Sequence, residues 1–299
     1  MFGIGLIEVL ALLLVVVGLV GLLLRASSGR RPLQVATARE WRLVQATRIA
    51  GLVVGVAAAV LVTQVLAYGG GAMLAPAVLG LCVLLATAVG ETVVRPAPAP
   101  GPRSASLTPR RVRDYLPPVL TPVVAVMLAL TAATLVLTTV TASLDEGTGT
   151  MRALSCSDAT SGASRSPYPG SYYSLPLTLT LLVVLAVAVV AALQVVRRPR
   201  GMAGTDHGDD ALRRRSLGVI VAATGLAVCA PLAGIALLGG SALVQLPQQS
   251  TCAPSWMGWT GTALLVLGPA ALVVTCACLL RLLSGTPDRA PETESPVAR

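Results

Sequence analysis

The chain has no lysine and no asparagine, a single histidine and a single phenylalanine, and only 12% of its 299 residues are charged. A soluble domain carries about 25% charged residues, so this composition cannot furnish an ordinary water-facing surface. One imidazole, His207, excludes zinc sites built on two or three histidines, the helical H-E-x-x-H pattern included. A G-x-S-x-G elbow, a Walker loop and a dinucleotide fingerprint are all missing. Ten-residue strands of alternating polarity, the mark of an outer-membrane barrel, are missing too. These absences leave no constellation for catalysis or for metal and nucleotide binding.

What is present is apolar: 55% of the residues are hydrophobic and the mean hydropathy is +0.80. Leu, Val and Ala fall in long blocks, each near the roughly 20 residues that cross a 30 Å hydrocarbon layer as a helix. Seven blocks are predicted to span, at about 3–24, 49–68, 72–94, 117–141, 175–196, 217–238 and 259–283. The expected fold is all-α, one bundle of seven spanning helices, followed by a disordered cytoplasmic tail at 284–299. The first block is read as a retained helix, because Arg25, Arg30 and Arg31 follow it and no basic residue precedes it, the reverse of a cleavable signal. The segment 95–109, with alternating Pro and Ala, reads as an extended linker, and 197–211 as a flexible loop.

All 22 basic residues are Arg, and their placement predicts orientation. With the N-terminus outside and the C-terminus cytoplasmic, the inner segments hold six, five, six and three arginines, while the outer ones hold only Arg152 and Arg165. Such asymmetry is the positive-inside pattern. It makes anionic lipid headgroups, rather than nucleic acid, the partner expected from the net charge of +9.

The outer segments at 142–174 and 239–258 read as loops. Tyr168, Tyr172, Tyr173, Trp256 and Trp259 near their ends are expected to anchor helices at headgroup level. Each of these loops holds one Cys, and Cys156 and Cys252 form a candidate disulfide in a compartment that permits oxidation. Cys82, Cys229, Cys276 and Cys278 lie within spans and count as small apolar residues. His207 beside Asp206, Asp209 and Asp210 reads as a solvated turn.

Few polar groups fall inside the spans, where such groups are functional candidates. Glu8 lies in the first block, and Glu91 ends the third within an i,i+4 reach of Arg95. Gln64 and Gln194 are the remaining large polar side chains. Thr131, Thr134, Thr138 and Thr141 form a stripe at helical spacing, which glues helices together or lines a pore. Gly218, Ala222, Gly225 and Cys229 present a second small-residue packing face. Pro76, Pro231 and Pro269 are expected to kink their helices.

At SASLTPRRVRDYLPP (104–118), PYPGSYYSLPL (167–177) and DDALRRRS (209–216) the chain resembles uncharacterised multi-pass integral membrane proteins of high-GC bacteria. The resemblance implies a multi-pass protein of the bacterial plasma membrane and carries no assigned activity. The leading functional expectation is a non-enzymatic structural or interaction component of the cell envelope, with no cofactor. The alternative is a small-molecule permease or channel, which requires Thr131, Thr134, Thr138, Gln64 and Glu8 around one opening.

Overall fold

The computed structural model describes residues 38–93, 111–159, 162–197 and 206–284, without the side chains of 38–45, 91–93, 206–209 and 284. The first apolar block with Glu8, the linker 95–109, the tail beyond 284 and the side chains of Glu91 and His207 therefore lie outside the description.

Six helices account for the second to seventh apolar blocks: α1 (Ala38–Val65), α2 (Gly70–Val93), α3 (Leu120–Thr141), α4 (Ser171–Val196), α5 (Asp206–Gln249) and α6 (Trp256–Ser284). Each is long and apolar enough to cross a membrane, which is compatible with an integral membrane protein. Apolar surface on every side is the pattern of helices that face neighbours on one flank and lipid on the other. Val140 on α3 is 78% exposed and Val266 on α6 is 69% exposed, a burden that water would penalise and hydrocarbon would not.

α5 is the axis of the bundle. Within its apolar span 83% of residues are buried, against 22–28% for the other five helices. α2, α3, α4 and α6 pack around it, and α1 lies chiefly against α2. Small residues make the approach possible. A Cβ on Gly80 of α2 would fall 2.5 Å from the Ala227 Cβ and 2.8 Å from the Ala227 amide nitrogen of α5. Gly240 of α5 and Gly261 of α6 are mutually tight, a Cβ on either meeting the other's carbonyl oxygen below 3.0 Å. The small face at Gly218, Ala222, Gly225 and Cys229 is buried on α5, where a Cβ on Gly225 would lie 2.5 Å from Cys278 Sγ of α6. Close backbone approach of this kind gives van der Waals packing its full reach between helices.

Three expectations need correction. The segment 142–174 is more than a loop, because it holds an antiparallel sheet in the order β1 (Ser143–Asp145), β2 (Thr150–Ser157), β3 (Gly162–Arg165). The fold is thus mostly helical rather than wholly so. The turn between β1 and β2 is set by Asp145, whose carbonyl accepts the amides of Thr148 (3.1 Å) and Gly149 (2.8 Å) while Oδ1 accepts that of Gly147 (3.1 Å). Gly149 takes φ +66°, which only glycine adopts without steric cost.

The second correction is the length of α5. Its 44 residues exceed the predicted 217–238 at both ends. Asp206, Asp209 and Asp210 open it, and acidic side chains suit a helix N-terminus, so 206–211 is helix and not loop. At the far end 239–249 continues as helix, because Leu243 and Leu246 pack with Leu154 and Tyr168 of the sheet region and with Met257 and Leu264 of α6.

Third, Tyr168 and Tyr173 are not headgroup anchors. Tyr168 is wholly buried and Tyr173 nearly so. Their hydroxyls bond to protein, Tyr168 to Thr141 and Tyr173 to the Tyr68 carbonyl. Trp259, by contrast, is 83% exposed in the first turn of α6.

Candidate functional site

Thr131, Thr134 and Thr138 of the threonine stripe are buried, Thr141 is half-buried, and all four donate within their own helix. Thr131 Oγ1 donates to the Met127 carbonyl (2.7 Å), Thr134 Oγ1 to Leu130 (2.8 Å), Thr138 Oγ1 to Thr134 (2.9 Å) and Thr141 Oγ1 to Leu137 (2.8 Å). A hydroxyl that donates to its own i−4 carbonyl has spent its proton and keeps only lone pairs for other partners. The Thr138 methyl sits 3.5 Å from where a Cβ on Gly239 of α5 would lie. Gln64 is exposed on α1, away from this face, and Gln194 is exposed near the end of α4. The described members of the proposed polar opening are therefore dispersed and do not share a cavity.

Polar side chains converge instead at the end of the bundle that carries the sheet. Arg152 on β2 is held by Asp145 on β1, with Nε 2.7 Å from Oδ2. Its Nε is also 3.2 Å from Thr148 Oγ1, and its guanidinium lies over the Tyr68 ring, 4.6 Å from the centroid. Stacking of this kind suits the quadrupole of an aromatic face. Ser166 Oγ also donates to Asp145 Oδ2 (3.2 Å). The hydrogen bond from Arg152 is the main influence holding the Asp145 carboxyl below the usual carboxylate range.

Tyr68 is the junction. It occupies the turn between α1 and α2 with φ +53°, an unusual conformation for a side chain of its size. The Tyr173 hydroxyl donates to its carbonyl (2.7 Å), and the Tyr172 hydroxyl donates to the preceding carbonyl of Ala67 (3.0 Å). The α1–α2 turn is thereby tied to the start of α4 and, through Arg152, to the sheet. Tyr168 and Thr141 share a hydrogen bond of 2.6 Å, and burial pushes the Tyr168 phenol up from its ordinary pKa.

Cys156 of β2 and Cys252 of the α5–α6 turn are bonded, with 5.8 Å between their Cα atoms. Together with the tyrosine contacts, this bond fastens the sheet to every helix-linking turn at its end of the bundle. Beneath this cap lies a cleft of about 250 Å³ whose lining includes Tyr68, Pro76, Tyr173, Pro231 and Gly234. It is apolar and shallow, since Gly80 and Ala227, about one turn farther along α2 and α5, are in direct contact.

The opposite end is rich in arginine. Arg213 of α5 is buried, 3.2 Å from Asp210 Oδ1, which also accepts the Tyr115 hydroxyl (3.1 Å) from a single 3₁₀ turn at Val112–Tyr115. Arg48 of α1 is buried, with Nη1 3.4 Å from the Leu282 carbonyl near the end of α6, where the helix dipole is negative. Among the described residues no three His, Cys, Asp or Glu side chains gather as a metal cage would require.

The two bonded cysteines and the threonine stripe stand out in the sequence, whereas the roles of Tyr68, Asp145, Arg152 and Ser174 do not. Ser174 Oγ pairs with Thr139 Oγ1 at 2.6 Å. Only Asp145 and Arg152, seven residues apart across a Gly-Thr-Gly turn, left a local trace in the sequence. No protein-family model, curated protein or solved structure matches the chain.

Proposed function

We propose that the chain is an integral protein of a bacterial plasma membrane and serves as a non-enzymatic structural or interaction component of the cell envelope. In this reading it spans seven times, the N-terminus and the cap are outside, and the arginine-rich end faces the cytoplasm and its anionic lipid headgroups. The disulfide at the cap end suits an oxidising compartment. The exposed Arg111, Arg113, Arg197 and Arg214 at the other end suit the cytoplasmic side.

The observation that carries the functional reading is the contrast between the two regions. In the interior Thr131, Thr134 and Thr138 turn their hydroxyls back on their own helix. The cap is braced by a disulfide, an ion pair and three tyrosine hydroxyls, which presents a fixed polar surface rather than a moving one. A permease is supported less well, because Gly80 and Ala227 shut the cleft that would have to continue inward.

Cross-linking in native membranes followed by purification in mild detergent tests this. A partner held by the wild-type chain and released when 146–149 and 158–164 are replaced by Gly-Ser segments is the expected result. Solute flux through the purified chain in sealed vesicles, with no such partner, would establish the permease instead.

A further inference from the structure

α3 and α4 meet at the cap end, where Thr139 and Ser174 are hydrogen-bonded. Toward the arginine-rich end they part, leaving a groove of about 230 Å³ floored by α5. Its walls include Ala125 of α3 and Ala188 of α4, and its floor includes Leu217, Val221 and Thr224. The lining is apolar apart from two hydroxyls. That of Thr224 is spent on the Ile220 carbonyl (2.9 Å), whereas the Thr121 hydroxyl, in the first turn of α3, is buried without a partner. The groove lies between two helices whose outer faces are exposed valine and leucine, so it opens sideways, where a spanning bundle meets acyl chains.

Each of the three elements forming the groove also carries exposed arginine at the same end. Arg111 and Arg113 precede α3, Arg197 caps α4, and Arg214 stands one turn before Leu217 on α5. The opposing carboxylate on the turn before α3 is Asp114, and Asp210 is taken by Arg213 and Tyr115. Among the described residues four exposed arginines thus stand against Asp114 at this end of an apolar slot, a net positive rim.

We propose that this groove is a binding site for one anionic phospholipid, drawn from the leaflet at the arginine-rich end. One acyl chain lies along α5 between α3 and α4, and the phosphate group is held by the arginine rim. Rotation of the Thr121 side chain about χ1 supplies a hydroxyl to the ester region. The inference rests on the reading of the chain as a membrane protein, but not on which side the cap faces.

The test is native mass spectrometry of the full chain extracted in mild detergent, titrated with dioleoylphosphatidylglycerol or dioleoylphosphatidylcholine. One molecule per chain should be retained, with the anionic lipid held more tightly. Arg113→Gln with Arg197→Gln should lower that preference by about fivefold per arginine, while phosphatidylcholine binding stays unchanged. Ala125→Phe and Ala188→Phe fill the slot from opposite walls, and each should abolish the retained lipid, whereas Val140→Phe on the lipid-facing surface should not. Should one filled variant fail to fold by circular dichroism, the other decides alone. Equal retention of the two lipids, or a bound lipid that survives in a folded filled variant, overturns the proposal. A chain that stays in solution without detergent would sink the membrane reading itself, and that would show before any lipid is added.

Discussion

Replacing Cys252 by Ser should loosen the cap and leave the helices as they are. The bonded cysteines are 96 residues apart, and a free loop of that order would be worth about 4.7 kcal/mol in chain entropy. Most of that loop is not free, because α4 and α5 form a hairpin that brings the chain back to the end it left. With α4 and α5 formed and packed together, the slack at the cap end is the stretch between Cys156 and Ser171 and the two residues between Gln249 and Cys252. For about 16 slack residues the same relation gives about 3 kcal/mol. Hydrogen exchange of the β2 and β3 amides reads this directly, since exchange through local opening scales with the opening constant. About 3 kcal/mol corresponds to roughly a hundredfold faster exchange in Cys252→Ser. Amides of α3 and α5 near Thr131 and Ala227 should be unaffected. Equal acceleration throughout the helices, or none in the sheet, would refute the reasoning.

Two further outcomes follow from the packing and the ion pair. Gly80→Leu forces a side chain into the Ala227 backbone and should destabilise the detergent-extracted protein by about 1–3 kcal/mol or more. Gly258→Ala, where nothing lies within 4 Å of the added Cβ, should leave thermal unfolding unchanged. Asp145 is held below its ordinary pKa, so its contribution is present above the unfolded carboxylate range and is lost as pH falls through the depressed value. The protection of the cap amides, taken as exchange relative to the intrinsic rate at each pH, should therefore fall in the wild type from neutral pH down to about pH 3, and Asp145→Asn should remove that pH dependence.

The helices were legible because a hydrocarbon layer demands a minimum length and an apolar composition, and α1 to α6 meet both. Their ends were less so. The loop expected from Gly239 onward begins as helix, and at Gly240 the missing Cβ lets α6 approach at Gly261. The sheet was missed because TMRALSCS and GASR lack the β-branched and aromatic runs that announce a strand. Their pairing is imposed by the Asp145 turn and by the contact of Leu154 with α5. Cys156 and Cys252 stood out as the cysteines outside the apolar blocks. Tyr68 could not be found, since its partners Arg152 and Tyr173 are 84 and 105 residues away. Tyr168 was misjudged for a related reason, because an aromatic beside a span has the same sequence whether it faces headgroups or a small folded cap.

The envelope reading depends on which aqueous side each end of the bundle meets. Single cysteines at Ser164 on the sheet and at Asp114 and Arg214 on the opposite end, labelled with a membrane-impermeant maleimide against a wild-type background, read this in intact cells. Ser164→Cys should react at once, and Asp114→Cys and Arg214→Cys only after the membrane is permeabilised. Reaction of all three in intact cells, or the reverse order, would contradict the account.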